Sequence, residues 1–374
     1  MTPPSPVRRG ATALVASLAL FAAGVLFALP AAAAPPFLSG FAHTSVIAST
    51  VPVTKNGKPG DLNPYGVAVV PSTVGALVKG DVLVSNFNNG ANKQGTGNTI
   101  VEVDPAGTQT VFARIKQPGV GLTTALSVLP NGFVVVGNLP TTNGKAATAT
   151  AGNLFVLNNL GQVVESLTAA DINGPWDMTA VSTKANQADL FVTNVLNGTV
   201  AAAGNVVNQG TVVRLNLDVS GPMPSVLSNT IIGTGFAEKT DPAALVIGPT
   251  GVGLAPDGTL YVADTINSQI RAIPKAQTRT TSAGLGSLVT PTPGSLNGPL
   301  GLTIAPNGDV LTVNSNDGLI VETQPGGTEV ATFQLDSSGS PPGAGALFGL
   351  AVVPGGDGVY YVDDATNTLN LLGP

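Results

Sequence analysis

The chain has 374 residues, a formal net charge of −6, one histidine and no cysteine. Glycine (47) and proline (30) are abundant and only 10% of the residues are charged, which favours short strands joined by tight turns. This composition excludes disulfides, thiol chemistry and a lipoprotein anchor, and the lack of a basic stripe argues against a nucleic-acid binder.

The first 33 residues have the organisation of a cleavable signal peptide. Arg8 and Arg9 precede an uncharged run over residues 11–29, and small residues surround Ala33. We therefore expect cleavage after Ala33 and a protein that is secreted, periplasmic or located in the cell envelope. The alternative is a retained segment that anchors the protein in a membrane, because an apolar run of this length can just cross a bilayer.

Six related segments follow, and each predicts a group of short antiparallel strands. They begin near residues 63, 122, 174, 248, 297 and 345. The clearest are GPTGVGLAPDGTLYVADTINSQIRAIP from Gly248 and NGPLGLTIAPNGDVLTVNSNDGLIVE from Asn297, in which an apolar strand, a Pro-Asp/Asn-Gly turn and a second strand recur. No copy can bury a core alone, so the repeats predict an all-β, six-bladed β-propeller of four-stranded blades.

The two ends of the propeller sequence are expected to close the ring together. The last copy stops at Leu372, after what would be its third strand. Residues 41–53, just before the first copy, can supply the missing outer strand, and closure removes the free sheet edges. We therefore expect residues 34–374 to form a single domain, and the protein to be a monomer.

The repeated pattern resembles a known family of propellers. The run G-x-x-G-apolar-P-(D/N)-G-x-(L/V)-x-V-x-(D/N), at residues 248–264 and 297–314, is similar to the NHL-repeat family of six-bladed propellers, and the likeness covers most of residues 41–374. It implies an architecture and not an activity, because such blades occur in lactonases, lyases, peptide-processing enzymes and binding scaffolds. The distant similarity to gluconolactonase and regucalcin implies a divalent cation held at the channel by a Glu with Asn and Asp ligands.

Ligand-binding residues are expected where the copies differ, in the segments that lead into the innermost strands. Trp176 is the only tryptophan, and Asp177 stands where other copies carry glycine. Tyr65, Trp176 and Phe348 could form an aromatic rim for a sugar or another small ligand, or could pack between blades. The full set of binding candidates is Asn63, Tyr65, Trp176, Asp177, Asp241, Asn297 and Phe348.

Two of these expectations have specific alternatives. Asp241 lies in the long insertion over residues 218–247 and is either a ligand or base, or a solvated turn residue. Asn63, Asp177 and Asn297 are the candidate oxygen ligands for a divalent cation such as Ca²⁺, although no Glu occupies a channel-entry position.

The second strand of every copy ends on an amide or acid side chain. These residues are Asn86, Asn138, Asn194, Asp264, Asn314 and Asp363. A residue type shared by all six copies is what a structural role requires, so we interpret them as turn residues and not as ligands.

Three functions remain open from the sequence. The favoured one is a secreted scaffold that binds a protein, glycan or small molecule through the channel face and inserted loops. It is favoured because the channel entry lacks a Glu and the single histidine, His43, lies in the closing strand. The alternatives are a metal-dependent lactonase or hydrolase of the gluconolactonase type, and a structural envelope protein whose channel is plugged.

Overall fold

The computed structural model describes residues 1–5, 35–54, 56–169, 171–290 and 294–374. The signal peptide expected over residues 1–33 lies almost entirely outside the described residues. The chain divides into two units, Met1–Ala34 and Pro35–Pro374, and the regular secondary structure described in the second is almost wholly strand. Among the described residues, no helix has both the length and the apolar character needed to span a membrane.

The second unit contains six antiparallel sheets, and in five of them the chain runs from one strand to its neighbour. A 3₁₀ turn at Phe37–Gly40 and strand β1 (His43–Ser49) precede the blades. Blade one contains β2 (Leu62–Val69), β3 (Val82–Asn88), β4 (Thr99–Val103) and β5 (Gln109–Arg114). Blade two contains β6 (Leu122–Val128), β7 (Val134–Asn138), β8 (Asn153–Leu157) and β9 (Val163–Leu167).

Blade three is the largest and has a fifth strand. It contains β10 (Pro175–Lys184), β11 (Gln187–Asn194), the short helix α1 (Thr199–Ala202), β12 (Val207–Asp218), β13 (Ser225–Asp241) and β14 (Leu245–Ile247). Blade four contains β15 (Pro249–Leu254), β16 (Leu260–Asp264), β17 (Gln269–Ile273) and β18 (Ser287–Leu288). Blade five contains β19 (Pro299–Ile304), β20 (Val310–Asn314), β21 (Leu319–Thr323) and β22 (Glu329–Gln334).

Blade six is completed by the two ends of the propeller chain. It contains β23 (Leu347–Val352), β24 (Val359–Asp363) and β25 (Thr368–Gly373), with β1 as its outermost strand. β1 runs antiparallel to β25, from His43 opposite Gly373 to Ser49 opposite Thr368. The innermost strands β2, β6, β10, β15, β19 and β23 contact one another in turn around the ring, and β23 contacts β2. The predicted six-bladed propeller and its closure by the N-terminal strand are confirmed.

A buried carboxylate fastens the N-terminal segment to blade five. Glu322 Oε1 accepts a hydrogen bond from the Phe37 N–H at 2.6 Å, and Oε2 accepts one from the Leu38 N–H at 2.8 Å. Asn307 Nδ2 also donates to Oε1, at 3.0 Å. We call this contact the N-terminal latch; it holds the 3₁₀ turn that leads into β1.

The glycine that recurs in the repeat is required by the close approach of innermost strands. A Cβ atom added to Gly301 would collide with the Phe348 carbonyl oxygen, and one added to Gly349 would collide with that of Tyr65. Each glycine thus lets one blade's innermost strand lie directly against the next. The glycine that recurs in the sequence therefore reflects the close packing of neighbouring innermost strands.

We expect Gly301→Ala to lower the free energy of unfolding by about 1–3 kcal/mol, because the methyl group meets backbone that cannot move aside. Gly326→Ala is the matched control, since its Cβ would have no neighbour within 4 Å. Urea unfolding of both variants measures the difference. Equal stabilities would show that the strands of the ring can separate without cost.

Candidate functional site

Aromatic side chains close the upper end of the channel, the end at which the innermost strands begin. Tyr65 stacks on Phe348 with ring centroids 3.9 Å apart and on Phe87 at 4.5 Å. Trp176 lies 6.5 Å from Tyr65 and 6.4 Å from Phe348. All four side chains are at most 3% exposed. The three aromatic candidates are therefore brought together as a buried aromatic plug (Tyr65, Phe87, Trp176 and Phe348) and not as an open rim.

A hairpin from blade three covers this plug. It comprises residues 239–247, from the end of β13 through β14, and we call it the covering hairpin. Ala244, Leu245 and Val246 are buried in the same apolar cluster as the plug. Trp176 Nε1 donates to the Val246 carbonyl at 2.9 Å, and Gln94 Nε2, from blade one, donates to the Pro242 carbonyl at 2.8 Å. The hairpin therefore shields the Tyr65 and Trp176 rings from a ligand at this end.

Below the plug, the innermost strands enclose an axial cavity of about 210 Å³. Asp177 lines it, together with the hydroxyl-bearing residues Thr124, Ser127 and Thr303. Asp177 is 8% exposed, and its Oδ1 accepts a hydrogen bond from the Met178 N–H at 2.8 Å. Burial raises the pKa of Asp177 to about 8, although hydrogen bonds from backbone N–H groups oppose this. At neutral pH the carboxyl group is therefore mainly protonated and can donate a proton into the cavity.

The three candidate metal ligands lie in different surroundings. Asn63 Nδ2 donates to Asp364 Oδ2 at 2.9 Å, whereas Asn297 Oδ1 accepts from Asn316 Nδ2 at 3.0 Å. Asp177 lines the axial cavity below the plug, which neither of the two asparagines lines. In the described part of the chain, no cluster of three or more His, Cys, Asp or Glu side chains is suited to a metal ion. The three candidate ligands thus have separate hydrogen-bond partners and do not form one site in the channel.

A second pocket, of about 340 Å³, opens beside the covering hairpin and is called the upper pocket. Lys239 and Asp241 line it from β13, two residues apart and so on the same face of the strand. Asp241 Oδ1 accepts hydrogen bonds from the N–H groups of Ala243 at 2.8 Å and Ala244 at 3.1 Å. The other walls are formed by Ile247, Ile266, Ser268, Leu300, Ser315, Asn316 and Phe348. The upper pocket thus combines an acid, an amine, hydroxyl and amide groups, and an apolar surface.

Carboxyl groups also lie near the Tyr65 hydroxyl, which is buried and has no hydrogen-bond partner among the described residues. Burial, and then the negative charges of Asp364 and Asp241, raise the pKa of Tyr65 well above its usual value. Burial and repulsion from Asp363 raise the pKa of Asp364 itself to about 7. Asp364 and Asp241 therefore lie close enough to the Tyr65 hydroxyl for their charges to oppose its ionisation.

Sequence reasoning identified only part of this arrangement. It named Asp241 and Phe348, which line the upper pocket, and Asn297, which is connected to the pocket residue Asn316. It missed Lys239 and Asp364. Lys239 could have been found from its place in the same polar insertion as Asp241. Asp364 could not, because nothing in the sixth repeat distinguishes it from a turn residue.

Comparison with known proteins finds similarity in fold. No protein-family model matches the chain. No curated protein sequence matches it either. A solved gluconolactonase from Xanthomonas campestris has a TM-score of 0.53 and 13% identity, covering 91% of this chain and 95% of that one. A calcium-binding regucalcin from Agrobacterium tumefaciens has a TM-score of 0.54 and 15% identity, covering 89% and 94%.

A solved streptogramin B lyase is similar to the same degree, with a TM-score of 0.51 and 16% identity, covering 88% of this chain and 97% of that one. At these identities the likenesses establish the fold and leave the activity open. The NHL-repeat assignment stays a prediction. The chain is a six-bladed β-propeller whose structural neighbours include gluconolactonase and regucalcin.

Proposed function

We propose that the protein binds a small hydroxylated molecule in the upper pocket and hydrolyses a lactone or ester bond in it. The observation that carries this proposal is the placement of Lys239 and Asp241 on one face of β13, both lining a concave pocket. The structural neighbours support an enzyme of this general kind through their fold alone. The aromatic plug closes the upper end of the channel, so the proposed site is the upper pocket beside it.

The pocket contains the groups that hydrolysis needs. The Asp241 carboxylate, held in place by two backbone N–H groups, accepts a proton from water as the water oxygen bonds to the carbonyl carbon. The Lys239 ammonium stabilises the negative charge that develops on the carbonyl oxygen. The bond to the leaving oxygen then breaks, and that oxygen takes the proton from Asp241. Ser268, Ser315 and Asn316 can bind substrate hydroxyl groups.

The test is a screen of lactones and p-nitrophenyl esters, followed by kinetics of two variants. We expect Asp241→Asn to lower kcat/KM about 10²–10⁴-fold, because it removes the general base. Lys239→Met is expected to lower it about 10²–10³-fold, because the oxyanion loses its charge partner. Lys184→Met is the control; this exposed lysine ends β10, away from the upper pocket, and the variant should keep full activity.

A binding scaffold without turnover is the second candidate. It is favoured by the position of the only histidine, which lies in β1, the outermost strand of blade six, so no imidazole base serves the upper pocket. A ligand that binds the wild type and not Lys239→Met, but is recovered unchanged, would establish this function. No ligand and no turnover in either screen would favour a structural protein, the function that a plugged channel suggests.

A further inference from the structure

The axial cavity below the plug has a single acid in an otherwise uncharged wall. Residues from all six innermost strands line this cavity of about 210 Å³. Among the described residues that line it, Asp177 is the only one with a charge, and the hydroxyl side chains are those of Thr124, Ser127 and Thr303. The remaining lining residues are apolar or glycine. The wall therefore offers one carboxyl group and no cation to compensate it.

The carboxyl group of Asp177 is not needed to join blade three to blade four. The Gly66 N–H donates to Ser85 Oγ at 3.0 Å, and the Asp177 N–H donates in the same way to Thr193 Oγ1 at 3.1 Å. Each hydroxyl then donates to a carbonyl group in the innermost strand of the next blade, at 2.8 Å and 2.7 Å. Blade one makes this connection with glycine, so the Asp177 side chain is an addition to the repeat.

The Asp177 carboxyl group can accept further hydrogen bonds. Its donors are the N–H groups of Met178, 2.8 Å from Oδ1, and of Val252 in the next blade. A carboxylate has about four acceptor sites, so it can accept more. The salt bridge found in the described part of the chain joins Arg271 to Asp264 and does not compensate Asp177. A buried carboxylate in this state is costly unless a proton or another positive charge joins it.

The rest of the wall supplies mainly hydrogen-bond acceptors and apolar surface. Thr124 Oγ1 is buried and, among the described residues, has no hydrogen-bond partner. Each innermost strand is the edge strand of its sheet, so carbonyl groups on its inner edge are not used within the blade. These groups can accept hydrogen bonds from a ligand. The cavity therefore suits a ligand that combines N–H donors with an apolar part.

The cavity is also accessible and large enough for an organic molecule. Lining residues near the ends of the innermost strands, among them Val69, Val128, Ala180 and Ala351, are half-exposed, whereas the plug at the upper end is buried. Solvent therefore reaches the cavity from its lower end. Its volume is far greater than that needed for one water molecule or one bare ion.

We propose that the axial cavity binds a small aliphatic ammonium ion, with its N–H groups at Asp177 and its hydrocarbon part against the apolar wall. An ammonium group has three donors and a positive charge, which match the carboxylate, the neighbouring acceptors and the lack of a cation in the wall. The net charge of −6 favours the approach of a cation. This site is separate from the upper pocket, and the proposal does not depend on hydrolysis there.

Binding of the ammonium ion is expected to release a proton from Asp177. Burial raises the pKa of this carboxyl group to about 8, and no other described residue that lines the cavity is titratable. A positive charge beside the carboxyl group favours its ionised form, so the group loses its proton to solvent as the ion binds. The apparent affinity should therefore increase as pH rises towards about 8.

The test is isothermal titration calorimetry of the full chain with methylammonium, n-butylammonium and n-hexylammonium chlorides. It is done at about pH 8.5, at which alkyl amines remain charged. We expect at least one of these ions to bind at a single saturable site. The alcohol and the carboxylate with the same hydrocarbon chain should bind about tenfold more weakly or not at all. No binding of any ammonium ion, or equal binding of the alcohol, would overturn the proposal.

Variants locate the bound ion. Asp177→Asn keeps the size of the side chain, and Asp177→Gly introduces the residue of four other copies; each should weaken ammonium binding about tenfold or more. Asp257→Asn is the matched control, because this exposed acid lies in the turn after β15, and the variant should bind as the wild type does. Asp241→Asn should also keep ammonium binding even though it is expected to lose hydrolysis. Loss of binding in Asp241→Asn, with binding kept in Asp177→Asn, would place the ion in the upper pocket and overturn the proposal.

Discussion

Replacing Glu322 by alanine is expected to lower the free energy of unfolding by about 3–5 kcal/mol, because it removes charged hydrogen bonds from buried backbone. In the N-terminal latch, Glu322 accepts from the N–H groups of Phe37 and Leu38, and the Leu38 side chain is buried in an apolar cluster shared by blades five and six. Without the carboxylate, these N–H groups lose their partner. The turn that leads into β1 is then free to detach, and β1 with it.

Urea unfolding measures the loss of stability in Glu322→Ala. Hydrogen exchange at the β1 amides shows whether β1 is the part of the structure that is destabilised. Glu329→Ala is the matched control, because among the described residues Glu329 Oε2 accepts one hydrogen bond, from the Ser295 N–H at 2.7 Å, and the residue is only half-buried. We expect the control to cost about 1 kcal/mol and to leave β1 exchange unchanged. Similar losses in both variants would mean that the latch does not hold the ring closed.

The fold could be predicted because the sequence signals that specify it are local and repeated. In the Pro-Asp/Asn-Gly turns, Gly258 and Gly308 adopt φ angles of +82° and +89°, which glycine accepts without strain. The same turn recurs between the first two strands of blades four and five, so the strand order within a blade follows from the sequence. Closure of the ring could be predicted by counting strands. The last copy lacked its outermost strand, and residues 41–53 could supply that strand.

The site was less predictable because it depends on contacts between distant blades. The repeat that contains Trp176 gives no sign that residues 239–247 will fold over it and accept its indole hydrogen bond. Likewise, Gln94 in blade one reaches the covering hairpin of blade three through a loop that reads only as polar and glycine-rich. A single sequence identifies such residues as unusual but does not show whether they face a ligand or each other. The three aromatic candidates face each other, in the buried aromatic plug.

Asp177→Asn is expected to stabilise the protein above about pH 5, by an amount that grows until about pH 8. The ordinary pKa of an aspartate carboxyl group is 3.8, and burial in the fold raises that of Asp177 to about 8. Between these values the folded state keeps a proton that the unfolded state has released, so wild-type stability falls as pH rises through this window. The whole shift corresponds to roughly 5 kcal/mol at pH 8 and above, and to nothing below pH 4.

Urea unfolding of wild type and variant from pH 4 to pH 9 tests this expectation. Asp104→Asn is the control with opposite sign, because hydrogen bonds from Thr108 lower the pKa of that exposed carboxyl group, so its charge favours folding above about pH 4. A constant difference between wild type and Asp177→Asn at every pH would show that Asp177 titrates normally.

A gain that grows with pH would have a further meaning, because glycine stands at the equivalent position in four of the other copies, at Gly66, Gly251, Gly301 and Gly349. An acid there is not needed to close the ring, and above pH 5 it opposes folding. The stability that this acid costs would then have to be offset by an advantage other than stability. That result would make Asp177, which lines the axial cavity, a candidate for a functional role and not a structural residue.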